Sequence, residues 1–242
     1  MTTPQFDALL IERFIALQSP LERFRLNGYV RLKRLAWRSL ARGTSCIKRA
    51  FDAAASVLVL LLLSPLFLLV ALLIKLEDGG PVFFTQTRVG RWGCHFKMFK
   101  FRSMYVDAEQ RLKELLAHNQ HCEGITFKMK NDPRITRVGK WLRRLSLDEL
   151  PQLVNVCLGD MSLVGPRPPV PREVAMYSAT ERRRLMATPG ITCLWQIGGR
   201  AEIDFSGQVE LDVQYIESQT LWGDFKILLK TVPAVFSGRG AY

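Results

Sequence analysis

The stretch from Ala53 to Ile74, AAASVLVLLLLSPLFLLVALLI, holds no charged residue and carries Ser64-Pro65 near its middle. As an unbroken helix it would run roughly 33 Å, enough to cross a bilayer. Pro65 removes a backbone donor and clashes with the preceding turn, so a helix here must kink. Ser64 can offer its hydroxyl to a carbonyl that the kink frees, which limits the cost in lipid. The run starts far from Met1 and is too long for the apolar core of a signal peptide, so it is expected to be a permanent membrane element.

Charge on its flanks bears on topology. Lys48 and Arg49 precede it, and Lys75, Arg88, Arg91, Lys97, Lys100 and Arg102 follow. Cytoplasmic flanks carry the excess of Lys and Arg, and here both flanks do. That pattern fits a helix–break–helix hairpin dipping into one leaflet. A single-pass helix with an ordinary proline kink stays open on pattern alone. From Arg23 to Phe51 basic residues recur with no acid, and YVRLKRLAWRSLARG sets Val30, Leu32, Leu35, Trp37 and Leu40 among them. A basic, Trp-containing helix at headgroup level is expected, against a solvated basic tail as the bland alternative.

The whole chain is basic too, with 34 Lys and Arg against 22 Asp and Glu and a formal charge of +12. That balance suggests a polyanionic partner: nucleic acid, anionic lipid or phosphorylated substrate. The five cysteines are scattered, with no C-x-x-C. They form neither a disulfide framework nor a zinc site, and they fit a reducing compartment.

Beyond the apolar run, PVFFTQTRV and CHFKMFKFRSM read as strands joined at GRWG into a hairpin. The second strand sets Phe96, Met98 and Phe99 against Lys97, Lys100 and Arg102, an imperfect alternation. VDAEQRLKELLAHNQH reads as an amphipathic surface helix. DPRITRVGKWLRRL leads to a helix around LDELPQLVNVCLG, and ATERRRLMAT reads as a charged helix. PGITCLWQIGGR reads as turn, strand and turn, and two helices close the chain. The expected fold class is α/β, helix-rich with a small β-hairpin or sheet, plus a re-entrant membrane element and amphipathic interfacial helices. The expected division is residues 1–47 as a basic extension, 48–76 as the membrane hairpin and 77–242 as a cytoplasmic catalytic domain.

Chemistry concentrates in RRLSLDELPQL. Ser146-x-x-Glu149 matches a capping box, with Asp148 and Glu149 favouring a helix dipole. The company of arginines shifts the balance toward catalysis. Arg143 and Arg144 precede the acids, and Arg88 (TQTRVG), Arg167 (GPRP) and Arg200 (GGR) sit in turn-like contexts. Arginine forks suit phosphate oxygens. One carboxylate could attack phosphorus while another holds a divalent cation. Standard nucleotide loops are absent from the sequence. His118, His121 and Cys122 in HNQHC are better explained as polar helix positions than as metal ligands. FKMFKFR could bind single-stranded nucleic acid, but beside a bilayer segment lipid headgroups and phosphate fit better.

At these motifs the sequence resembles the bacterial sugar transferase family, the monotopic polyprenyl-phosphate phosphoglycosyl transferases. The resemblance spans roughly Lys48 to Tyr242 and rests on KRAFDAAASVLVLLLLSPLFLLVALLIKLEDGGPVFFTQTRVG, FKMFKFRSM, DPRITRVGKWLRRLSLDELPQLVNVCLGDMSLVGPRPPV, PGITCLWQIGGR and ELDVQYI. It implies that Ser64-Pro65 breaks a re-entrant helix. It implies that Asp148 is the nucleophile that attacks a UDP-sugar, releases UMP and carries the sugar phosphate, with Glu149 as a Mg2+ ligand. Polyprenyl (undecaprenyl) phosphate would then take the group in the first step of exopolysaccharide synthesis, in the manner of galactosyl- or glucosyl-phosphate transferases. Arg88, Arg167, Arg200 and Asp212 match family positions near the substrate. The partners it implies are a UDP-sugar, polyprenyl phosphate and inner-membrane lipid at the cytoplasmic face, with no nucleic acid; a homodimer is left open. Two rivals remain: a single-pass membrane adaptor with a basic phosphate- or lipid-binding domain, and a membrane-tethered nucleic-acid binder.

Overall fold

The apolar run is helical on both sides of a break one residue wide. In the computed structural model, which describes residues 20–108, 110, 132–199 and 203–237, helix α1 (Pro20–Leu62) meets helix α2 (Ser64–Asp78) at Leu63. Leu63 has φ −91° and ψ 4°, and Pro65 lies in the first turn of α2, where its missing N–H is no loss. The carbonyl of Leu61 would bond the N–H of residue 65 in a continuous helix. It accepts instead from Ser64 Oγ at 2.8 Å, as expected for a carbonyl freed by the proline. The segments Gly43–Leu62 and Ser64–Asp78 are bent by 62°. Among the described residues no single helix is long and apolar enough to cross a membrane, whereas the bent pair together meets that length and composition.

The chain divides into two compact units, Met1–Lys48 and Arg49–Tyr242. In the first, the basic stretch is helical from Pro20 onward. The second contains everything that follows.

Two tethers fix the end of α1 within the second unit. Arg49 donates to the carbonyls of Val156 and Cys157 at the end of a later helix, and Asp52 accepts from Ser162 Oγ at 2.6 Å. A third secures α2: Glu77 accepts from the backbone N–H groups of Arg137, at 2.7 Å, and Val138. Outward from these tethers, Leu58, Leu61, Leu62, Leu68, Leu69 and Leu72 are exposed.

Strands β1 (Phe83–Val89) and β2 (His95–Phe101) form the expected antiparallel hairpin, paired from Phe83↔Phe101 to Val89↔His95. Its tip is tight, with Trp92 at φ 59° and Gly93 at φ 83°. Side chains on a strand alternate between faces. Met98 packs with Leu153, Val156 and Met161 in one core cluster, while Phe101 joins Val70, Ile74 and Leu142 in another. Both faces of β2 are covered toward its Phe101 end, while His95 and Lys97 stay exposed, so the imperfect alternation has a physical cause. Lys100 and Arg102 do not line a solvent face: Arg102 is buried against Asp78, and Lys100 shares the inward face of Met98.

Helix α3 (Arg137–Arg144) packs on α2 through Leu142, then a single 3-10 turn (Leu147–Glu149) leads past Pro151 into α4 (Gln152–Leu158). Strand β3 (Ser162–Val164) pairs in parallel with β4 (Gly190–Thr192), the connection between them carrying the short helix α5 (Pro171–Ala175). The backbones of Gly165 and Gly190 touch: a Cβ on Gly190 would lie 2.0 Å from the Gly165 nitrogen. This contact, with Gly190 N–H donating to Pro166 at 2.9 Å, holds the loop that carries Arg167. The short helix α6 (Leu194–Gly198) replaces the expected turn, and α7 (Phe205–Glu217) and α8 (Leu221–Ser237) are the two closing helices. ERRRLM is a 3-10 segment rather than an α-helix; it packs on α7 with Arg184 turned inward. The expected VDAEQRLKELLAHNQH helix falls almost wholly outside the described residues, as do His118, His121 and Cys122.

Candidate active site

The two adjacent acids sit on the 3-10 turn between α3 and α4, where the chain reverses sharply. Ser146, just before them, has φ 54° and ψ 22°, a left-handed conformation unusual for a residue with a side chain. The capping box expected for Ser146 and Glu149 does not form, because the Ser146 side chain caps nothing and the acids lie ahead of the helix proper. Glu149 is taken by stronger partners: Lys100 Nζ at 2.7 Å and Arg167 at 3.1 Å, both donating to the same oxygen, Oε1. Charge-assisted bonds of this kind outcompete a backbone amide.

The two carboxylates are driven apart electrostatically. Asp148 is 7% exposed, and no donor among the described residues hydrogen-bonds it. Burial raises its pKa above the ordinary carboxylate value; Lys100 pulls it back and the adjacent Glu149 pushes it up further. Burial works against ionisation of Glu149 too, but the charges of Lys100 and Arg167 and their hydrogen bonds hold it well below the usual range. One acid is thus a firm anion and its neighbour a basic, unpartnered carboxylate.

Around the pair lies a cavity of about 1110 Å³. Arg88, Lys100, Arg143, Arg167 and Arg172 line it beside the acids. Arg88 donates to the Pro168 carbonyl at 3.0 Å and to Gln86 at 2.6 Å, and its buried Nε has no partner among the described residues. Burial and the neighbouring Arg167 lower its pKa to about 10. No carboxylate among the described residues forms an ion pair with it, although the charges of Glu173 and Glu149 act on it. Leu63 and Leu66, flanking Ser64-Pro65, line the same cavity, so the helix break opens onto the site.

Of the residues expected from sequence, Asp148, Glu149, Arg88 and Arg167 come together here. Arg200 lies outside the described residues. Asp212 is 1% exposed on α7 and does not line the cavity; it is ion-paired to Arg184, which does. Burial raises the Asp212 pKa to about 6 against the pull of Arg184. Its geometry is that of a residue positioning Arg184. Lys100 was missed as a site residue, although a lysine sharing the strand face of Met98 was a signal. Arg143, noted only as a neighbour of the acids, donates to Ser103 Oγ at 3.0 Å on the cavity wall.

Among the described residues no three His, Cys, Asp or Glu side chains gather as a metal cage. Two adjacent carboxylates in a large basic cavity are nevertheless a donor set suited to Mg2+, which binds through one or two carboxylates plus substrate oxygens.

The sequence profile of the family described as bacterial sugar transferase matches residues 43–238. The chain belongs to the bacterial sugar transferase family. It is 51% identical to the galactosyl transferase CpsE of Streptococcus agalactiae serotype III, over 80% of this chain and 43% of that protein. It is 46% identical to the exopolysaccharide production protein ExoY of Rhizobium meliloti, over 81% of this chain and 88% of that protein. With the undecaprenyl-phosphate glucose phosphotransferase of Komagataeibacter xylinus it shares 44% identity, over 92% of this chain and 41% of that protein. The chain thus spans less than half the length of these Streptococcus and Komagataeibacter relatives. Both the helix break and the acid turn lie within the family region.

Proposed function

We propose that this bacterial sugar transferase is a phosphoglycosyl transferase that moves a sugar 1-phosphate from a UDP-sugar to undecaprenyl phosphate, in the first step of exopolysaccharide synthesis. The observation that carries the proposal is the divergence of the two acids: a buried Asp148 that no donor among the described residues bonds, beside a firmly ionised Glu149, in a cavity walled by arginines. Similarity to proteins named for galactosyl and glucose phosphate transfer supports the substrate class.

In the first step an Asp148 carboxylate oxygen attacks the sugar-bearing phosphorus. The bond from that phosphorus to the UMP oxygen breaks, and UMP leaves with the electron pair. The raised basicity of Asp148 suits a nucleophile, since its ionised form holds electron density that no hydrogen bond draws off. Lys100, Arg167 and Arg88 face the charge that builds on the transferred group and the leaving phosphate. In the second step an oxygen of undecaprenyl phosphate attacks the acyl phosphate and frees Asp148. Mg2+, when bound, neutralises diphosphate oxygens and aids departure of UMP. Glu149 would hold it: both cationic partners occupy Oε1, which leaves Oε2 for a metal. In this reading the bent pair is a re-entrant hairpin at the inner membrane, with the site on the cytoplasmic face, where the soluble donor and the lipid phosphate meet.

The test is Asp148→Asn in the full chain, incubated with a panel of UDP-sugars, undecaprenyl phosphate and Mg2+. UMP release should fall by about three orders of magnitude or more, and the covalent sugar-phosphate adduct expected by mass spectrometry of the wild type should be missing from the variant. Retained UMP release would overturn the mechanism.

A further inference from the structure

The cavity has a second wall that the phosphate chemistry does not use. Helix α6 and the 181–186 segment both pack on α7, which gathers Arg184, Trp195, Phe205 and Gln208. The Arg184 guanidinium lies 5.7 Å from the centre of the Phe205 ring, and its charge is neutralised by Asp212. Thr192 lines the same wall. Among the described residues this side therefore offers a carboxamide, a hydroxyl and two aromatic groups, where the other offers Arg88, Lys100, Arg143 and Arg167. It also adjoins the acids: the Thr192 carbonyl accepts from Gly165 N–H at 3.0 Å, two residues before Arg167, which bonds Glu149 at 3.1 Å.

A neutral polyol suits such a wall. Each sugar hydroxyl both donates and accepts hydrogen bonds, as a carboxamide does, and the C–H face of a pyranose packs on aromatic side chains. Phosphate calls for the cationic side instead. Position argues the same way. The sugar is bonded directly to the phosphorus that the nucleophile attacks, so its subsite must abut the acids, whereas the nucleobase lies beyond a second phosphate and the ribose. Gln208 is held in one orientation, its Nε2 donating to the Ile203 carbonyl at 2.9 Å, which leaves Oε1 as an acceptor.

We infer that this wall is the hexose subsite, with Gln208 reading a sugar hydroxyl and Trp195 and Phe205 carrying the ring face. The inference rests on the phosphoglycosyl transferase reading and adds to it the residues that decide which sugar is taken. Asp212 then acts as a positioning residue, holding Arg184 against Phe205 and so shaping the wall.

The experiment compares kcat/KM for UMP release from the preferred UDP-hexose and from its C4 epimer, in wild type, Gln208→Leu and Gln208→Glu. Gln208→Leu should change the ratio of the two by about tenfold or more, since a hydroxyl-reading group is lost. Gln208→Glu keeps the size and an acceptor but loses the donor to the Ile203 carbonyl, so its orientation is released and the ratio should shift in the same direction by a smaller factor. Product inhibition by UMP should be the same in all three. An unchanged ratio in both variants, or a weakened UMP inhibition with the ratio preserved, would overturn the subsite; the second result would make the wall a nucleoside site. If wild type releases UMP from no UDP-sugar, the functional reading itself fails, a result distinct from either.

Discussion

Lys100 shows how much one side chain can decide. It is half-hidden on β2, and its ammonium bonds Glu149 while its field reaches Asp148. Its charge favours the ionised form of both acids, so removing it raises both pKa values. Lys100→Ala should therefore lower the rate of UMP release and move the acid limb of the pH–rate profile to higher pH, because Asp148 must be ionised to attack. A limb that stays in place would show that Asp148 ionisation does not govern the rate. The acids themselves were legible in the sequence, as adjacent carboxylates preceded by arginines. The role of Lys100 was not, because a lysine in a strand defaults to the solvent face unless that face is known to be covered. The capping box failed for a similar reason: Ser146 and Glu149 have the right spacing, but spacing does not reveal two cations arriving from β2 and from the Gly165–Arg167 loop.

At the scale of elements, the break in the apolar run is a local event with local causes. Pro65 denies the Leu61 carbonyl its helical partner, Ser64 supplies a substitute, and Leu63 leaves the helical region. Changing both residues together, Ser64→Ala with Pro65→Leu, restores that backbone bond and should straighten the pair into one span. The readout is accessibility of single cysteines in a cysteine-free background, at Ser45→Cys and Lys75→Cys. Both should label from the cytoplasmic side in the native sequence, and the second should switch sides in the double variant. Labelling from opposite sides in the native sequence would refute the re-entrant arrangement. The hairpin and the closing helices were equally legible, through turn glycines and apolar periodicity. Helix α6 was not: LWQIG is too short for a periodic pattern, and it forms where packing against α7 and α8 supports it.

At the scale of the molecule, the family region begins at residue 43 and the second compact unit at Arg49. Arg49 and Asp52 already supply the tethers that hold α1 to α4 and β3. A chain beginning at Gly43 keeps both tethers and should therefore keep UMP release within about twofold and its melting temperature within a few degrees. Loss of activity with an unchanged melting temperature would assign residues 1–42 a part in substrate delivery.

Sequence alone determined the features that depend on near neighbours: the proline break, the hairpin, the adjacent acids and the basic balance that points to phosphate and lipid. These follow from backbone donors, turn chemistry and charge, which act over a few residues. Only the tertiary structure decided which acid is the firm anion, which arginine has a buried nitrogen with no partner among the described residues, and which side groups line the cavity. Those properties arise from burial and from partners distant in the chain. Glu149 is set by Lys100 and Arg167, and Asp212 acts on the cavity only through Arg184. Desolvation and ion pairing depend on distance in space, and folding alone supplies that.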